Sequence, residues 1–396
     1  MKRRDFIKQS SLASSLFFAP NFIKEFENLS KQSSQIKKLV IIQLSGGNDG
    51  LNTIIPYTND IYYKNRPKLA IPKNNLIKVT DDLGFHENLA HLKNIYDQGY
   101  LSIINNVGYP NPNRSHFRST DIWQTASNSD EYFNTGWIGR YIEKFGKAPY
   151  SGIELDDSLS LIMKGENING IATKNPRTLF NNTKTPFFNK VIKQQTDAHL
   201  SEHNLGYLYK TMIEAKSSAK YIYETSKTYT SKFQYPNNPF GKQLKTTSEF
   251  INSNLESKVY YVSMGGFDTH ANQSNRQSRL LKTYSESLEV FIDDLKQNDT
   301  FKDTLILTFS EFGRRVQQNA AGGTDHGAAN NVFIIGENLK KKGFYNTSPN
   351  LLNLDKNGDL IHSIDFRSIY ATILEKWLEV DDISILNKSF QKLDFI

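Results

Sequence analysis

Four apolar runs in this 396-residue chain end in the same manner, and that recurrence limits what it can fold into. Lys38–Leu44, Leu101–Val107, Lys258–Ser263 and Leu305–Phe309 have the length and β-branched composition of buried strands. Each passes at once into a turn rich in glycine or proline that carries acids, imidazoles or hydroxyls. The turns are Ser45–Gly50 with Asp49, Gly108–Ser119 with Ser115 and His116, Met264–Gln273 with Asp268 and His270, and Ser310–Gly313 with Glu311. Amphipathic helical spacing lies between the runs, over Leu83–Tyr100, Gly136–Gly146, Ser274–Lys296 and Phe366–Trp377. Alternating strands and helices predict an α/β fold, a mainly parallel sheet with helices on both faces. In such sheets ligands bind beyond the carboxyl ends of the strands, where these turns fall.

The remaining elements are weaker signals. Short strands are expected near Gly152–Leu155 and Leu159–Met163, another at Asn330–Gly336, and irregular chain at Pro56–Pro72. Residues 186–254 read as a helical insertion or cap, in which His199 and His203 share a helix face among solvated polar residues. The domain plan is therefore a signal at 1–26, a linker at 27–37 and an α/β domain over 38–396.

Composition narrows the function. There is no cysteine, which removes disulfides, thiolate ligands and a cysteine nucleophile. Mean hydropathy is −0.55 and no apolar run reaches the ~18 residues of a spanning helix, so the sequence reads as a soluble protein. The formal charge is +7, of which three come from the first 26 residues, and no basic block interleaved with aromatics suggests nucleic-acid binding. Those first residues contain Arg3–Arg4 followed by Phe6–Ile7–Lys8, the twin-arginine pattern, and then a modest apolar region. They predict export to the periplasm or cell envelope, with no transmembrane segment unless the signal is retained as an anchor.

The strand ends carry the chemistry. Asp49, Asp268, His270, Glu311, Asp325 and His326 mix hard oxygen and borderline nitrogen donors in a proportion that suits Zn²⁺ or Mn²⁺. Ser115 stands at a strand-to-helix junction, near free backbone N–H groups and the positive end of a helix, where a nucleophile, an anion site or a plain helix cap would each fit. His116 beside it is taken with Ser115 as catalytic. Arg114, Arg118 and Arg314 are read as bidentate oxyanion binders, and Asn48 as a further substrate-binding or ligand residue.

Taken together, the blocks GGNDGLNT (Gly46–Thr53), GYPNPNRSHFRSTDIWQT (Gly108–Thr125), TGWIGRY (Thr135–Tyr141), GGFDTHANQ (Gly265–Gln273), TFSEFGRRV (Thr308–Val316) and GGTDHG (Gly322–Gly327) resemble an exported bacterial family, domain-of-unknown-function family 1501. That family is placed with the alkaline phosphatase and sulfatase superfamily. The resemblance implies that Asp49 is the first-strand metal aspartate, Asp268 and His270 an Asp…His ligand pair, Glu311 a ligand and His326 the late histidine, with Asp325 a ligand or its partner. Phe312 stands where relatives have a ligating histidine, which implies one well-formed metal site and a second that is weak or uses other ligands such as Asn48. The Pro-x-Arg context of sulfatases that make formylglycine is absent from the sequence.

Two readings follow. The first is an exported metal-dependent hydrolase of phosphate or sulfate esters on small molecules or polymers, with Ser115 or a metal-bound water attacking. The second is a non-catalytic envelope protein that keeps a metal for folding and works through a protein partner. A metal-free serine hydrolase built on Ser115 and His326 lacks the G-x-S-x-G elbow.

Overall fold

The alternation of apolar residues along the strands fixes two buried layers, one on each face of a nine-stranded sheet. We describe the protein from a computed structural model covering residues 36–193 and 204–396, of which 37–396 form one unit. Met1–Phe26, most of the 27–37 linker, and His199 and His203 lie outside the described residues. The principal strands are β1 Lys38–Leu44, β2 Leu101–Gly108, β3 Gly152–Glu154, β4 Ile171–Ala172, β5 Val259–Met264, β6 Thr304–Phe309, β7 Asn330–Ile335, β8 Gly343–Phe344 and β9 Ile364–Asp365. Their order is β8-β2-β7-β6-β1-β5-β3-β4, with β9 added beside β2. All pairings are parallel except those of β7, which runs antiparallel to both β2 and β6.

β1 is buried along its whole length and has neighbours on both sides, as its unbroken apolar run predicts. Leu39 and Ile41 point into one core with Trp123, Trp137 and Tyr370, supplied by helices α1 His116–Thr125, α2 Trp137–Phe145 and α6 Phe366–Thr372. Val40, Ile42 and Leu44 point into the other core with Leu244, Phe250, Leu281 and Leu288, from α4 Pro239–Asn252 and α5 Gln273–Gln297. Each fully buried aliphatic side chain contributes about 1.5–3 kcal/mol, so helices on both faces are a direct consequence of period-2 burial. α3, Asn204–Ser226, packs against a short helix at Pro176–Asn182. Within the expected insertion, α4 is instead part of the second core.

Some expectations need correction. Leu159–Met163 is not a strand: Leu161–Met163 forms a 3-10 turn whose Ile162 and Met163 fill the core from an irregular segment. The Leu83–Tyr100 helix begins only at Ala90, because Gly84–His86 pairs with Ile54–Ile55 and Leu76–Lys78 in a small antiparallel sheet. Pro56–Pro72 contains a short helix, Asp60–Asn65, capped by Asn59 through its side chain. The helix that begins at Phe366 changes from α to π geometry at Ile373–Trp377.

Register brings the chemistry to one edge. Leu44 is level with Met264 in β5, and Gln43 with Phe309 in β6, so three turns leave neighbouring strands at the same height. The backbone of the first turn closes against the other two. A Cβ on Gly46 (φ +116°) would sit 2.4 Å from the Asp268 nitrogen, and one on Gly47 (φ +71°) 2.4 Å from the Phe312 ring. Only glycine allows both that conformation and that approach.

Candidate metal centre

Asp268 is the point on which the side chains converge. It lies four residues beyond β5, and its Oδ1 is 3.4 Å from His116 Nε2, 3.1 Å from His270 Nε2 and 3.3 Å from His326 Nε2. One donor atom each from His116, Asp268 and His326 lie within 4.8 Å of one another, and His270 Nε2 is 2.9 Å from His326 Nε2.

The far side of each imidazole determines what these nitrogens can do. His116 Nδ1 is 2.8 Å from the Glu311 carboxylate, His326 Nδ1 2.7 Å from the Arg114 carbonyl, and His270 Nδ1 3.3 Å from Asp325. These partners accept, so each Nδ1–H donates and each neutral ring keeps its Nε2 lone pair facing Asp268. Lone pairs pointed at a carboxylate repel unless a cation lies among them. His116 Nε2 is buried and has no hydrogen-bond partner among the described residues. Acceptors behind imidazoles that turn their other nitrogen inward are the outer shell found around metal-ligating histidines. The donor set therefore fits a divalent ion of the zinc or manganese type.

The charges agree. Asp268, Glu311 and Asp325 bring three carboxylates and Arg314 one guanidinium, leaving two negative charges for a divalent ion to balance. Partial burial pushes the Asp268 carboxyl up, but the hydrogen bond and charge of the Arg314 guanidinium outweigh it and hold the group well below the usual range. Asn319, then His270, lower Asp325. The Glu311 hydrogen bond raises His116. Burial, with Arg314 and His116, lowers His326 against the opposing pull of the Arg114 carbonyl.

The expected site residues divide into two groups. Asp268, His270, Asp325 and His326 come together, with Glu311 reaching the centre through His116 and also accepting from Gly46 N at 2.8 Å. His116 joins the cluster itself, beyond the catalytic role expected from sequence. Phe312, in the place of a ligating histidine, packs its ring against His116 and His326 at centroid distances of 4.8 and 4.7 Å. Asp49 is paired within the fold. It is buried, 2.6 Å from Arg66 Nη1, and accepts from Gln273. Asn48 bonds to Thr53 and Ser310.

The arginines have partners within the fold. Arg314 is buried and donates to the carbonyls of Gly46, Gly47, Phe267 and Thr324 as well as to Asp268, so it positions Asp268 from within the fold. Arg118 donates to the carbonyls of Asn128, Ser129 and Glu131 and stacks on Tyr132. Arg114 is a third exposed and pairs with Asp359 at 3.3 Å. Ser115 is exposed at the start of α1, and its hydroxyl makes no capping bond. His86 and His91 lie apart, against Ser278 and Glu289.

The family model described as "Protein of unknown function (DUF1501)" matches residues 36–378. The chain belongs to that family. No curated protein matches this DUF1501 chain. Among solved structures it is similar to a protein in the alkaline phosphatase superfamily from Vibrio parahaemolyticus, at 10% identity and TM-score 0.41, covering 91% of this chain and 72% of that one. It is also similar to the PsFucS1 sulfatase from Pseudoalteromonas sp. (10%, TM-score 0.37, 94% and 72%). The lipoteichoic acid synthase LtaP from Listeria monocytogenes is a third (7%, TM-score 0.37, 78% and 67%). These likenesses concern the course of the chain and not its activity. Among the described residues no helix is long and apolar enough to cross a membrane.

Proposed function

We propose that this DUF1501 chain is a divalent-metal-dependent hydrolase of phosphate or sulfate esters that works in the periplasm or cell envelope after export by the twin-arginine route. One observation carries the metal: three imidazoles, each held at Nδ1 by an acceptor, turn Nε2 toward Asp268. His116, Asp268 and His326 would hold the ion, with His270 adjoining and Glu311, Asp325 and the Arg114 carbonyl orienting the rings. Exposure favours catalysis over a purely structural role. The side chains of Asp268 and His270 are each 46% exposed, whereas structural sites are closed. A bound ion would polarise the ester and stabilise the charge that develops during its hydrolysis. Ser115, exposed and adjacent to His116, is the nucleophile this chain offers, and Arg114 the oxyanion donor. The ester class rests on the sequence blocks that resemble the alkaline phosphatase and sulfatase superfamily.

The test is turnover of 4-nitrophenyl phosphate, bis(4-nitrophenyl) phosphate and 4-nitrophenyl sulfate by chelated and Zn²⁺- or Mn²⁺-reloaded protein. Hydrolysis that returns with metal and falls at least a hundredfold in His326→Ala supports the proposal. A metal-replete, folded protein inert to all three esters contradicts it. The donors that Arg118 and Arg314 spend on carbonyls favour the second reading, an envelope protein that keeps its metal for folding. That reading predicts a lower Tm on metal removal with no ester turned over.

A further inference from the structure

Two arginines beside the centre have hydrogen-bonding capacity that the fold does not use. Arg66, Arg140, Arg314 and Arg367 each set all three guanidinium nitrogens on acceptors. Arg114 and Arg315 make no side-chain hydrogen bond among the described residues. Both instead face one carboxylate, that of Asp359, with Arg114 Nη1 3.3 Å from Oδ2 and Arg315 Nε 3.7 Å from Oδ1.

That pairing is incomplete. The Asp359 side chain is 1% exposed, yet its Oδ1 accepts no hydrogen bond among the described residues and Arg315 Nε donates none. Burial pushes the Asp359 carboxyl up to about 6, against the lowering pull of Arg114 and Arg315. Asp355, whose charge also acts on Arg114, accepts from the backbone N–H groups of Asn357 and Asp359. The two arginine side chains are 33% and 37% exposed, so a solute reaches them. A guanidinium offers a planar fork of donors that matches two oxygens of a phosphate, sulfate or carboxylate.

Backbone contacts tie the pair to the metal centre. The Arg114 carbonyl accepts from His326 Nδ1 at 2.7 Å, and Arg315 N donates to the Asp325 carbonyl at 3.1 Å. Ser115 and His116 follow Arg114 directly, and Arg314, which holds Asp268, directly precedes Arg315.

We propose that Arg114 and Arg315 form a subsite for a second oxyanion of the substrate, apart from the ester group at the metal, with Asp359 as the counter-ion that this anion displaces. Arg114 stands between the two anions, and Arg315 serves the second alone. The preferred substrate class is accordingly an ester that carries a further anionic group. That class rests on the hydrolase reading above; the binding of an oxyanion by the two arginines does not.

The first probe is inorganic phosphate, titrated into the metal-free full chain at low ionic strength and pH 8 and followed by calorimetry and ³¹P NMR. Without metal the centre keeps its surplus of negative charge, so binding reports the arginines. Phosphate is expected to bind wild type, at least tenfold more weakly to Arg315→Gln and at least threefold more tightly to Asp359→Asn, which keeps the shape of the competing carboxylate and removes its charge. A loss of local order would not tighten binding. A folded wild type that binds no phosphate overturns the subsite. Binding that both variants leave unchanged, an adventitious ion only, overturns it too, as does weaker binding by Asp359→Asn. The second arm compares phenyl phosphate with its 2-, 3- and 4-carboxy derivatives on Zn²⁺-loaded protein. At least one carboxy derivative should show a KM at least fivefold below that of phenyl phosphate, an advantage that Arg315→Gln removes; equal KM values contradict a second anion on the substrate. Phosphate binding of the expected pattern by a protein that turns over no ester supports the subsite while the hydrolase reading fails. An active protein whose metal-free form ignores phosphate sinks the subsite alone.

Discussion

Replacing Asp49 by Ala separates a structural carboxylate from a metal ligand. Asp49 and Arg66 are both fully buried and 2.6 Å apart. Arg66 also donates to Asn52 Oδ1, to the Val316 carbonyl and, through its second terminal nitrogen, to the Arg315 carbonyl. Removing one partner of a buried ion pair costs about 3–5 kcal/mol, because the remaining charge is left without compensation. Three surviving acceptors place Asp49→Ala at the lower end, about 3 kcal/mol. With an unfolding entropy of roughly 2.1 cal/mol/K per residue over roughly 360 residues, that is a fall in Tm of roughly 4 °C. Calorimetry measures the shift, and titration of the same variant with Zn²⁺ measures its metal affinity. The structure predicts a lower Tm with Zn²⁺ affinity within about threefold of wild type. Loss of metal binding with an unchanged Tm would refute the placement of Asp49 away from the centre.

Other consequences concern groups outside the centre. Burial pushes the Glu154 carboxyl up to about 7, against the lowering effect of its hydrogen bonds from Ser160. A raised folded value means that this contribution is intact below the ordinary value of 4.5 and is lost as pH rises through 7. Denaturant unfolding at pH 5 and pH 8 should therefore show Glu154→Gln gaining about 2.5 kcal/mol relative to wild type between those pH values; a constant difference would show that Glu154 keeps its ordinary value. Asp294 is fully buried and accepts from Tyr229, Ser231, Tyr235 and Ser248, joining the 229–235 segment and α4 to α5. Asp294→Ala leaves these donors unmatched and should cost at least about 3 kcal/mol, with amide exchange accelerating first at 229–235; uniform exchange would contradict the clip.

The sheet and half of the centre were legible in the sequence for one reason. β1 and β6 are buried throughout between neighbouring strands, so their apolar runs are continuous and their ends sharp, and the acids just beyond those ends could be picked out. What escaped depends on contacts distant in sequence. The antiparallel direction of β7 leaves no mark in an apolar six-residue strand. The buried ion pair of Asp49 leaves no sequence signal, because its partner, Arg66, sits in a stretch that reads as irregular. Arg314 looked like an oxyanion binder because nothing in a basic pair shows that five neighbours will absorb its donors. The place of His116 in the cluster has a sequence signal: it opens a helix just past a strand end, at the edge where the other cluster residues lie.

The metal centre itself is tested most directly by titrating Zn²⁺ into chelated full-length protein and into its Asp268→Ala, His116→Ala and His326→Ala variants. The account predicts about one equivalent bound by wild type, and affinity reduced at least a hundredfold in each folded variant. A folded wild-type protein that binds neither Zn²⁺ nor Mn²⁺, or one whose affinity survives Asp268→Ala, would contradict it.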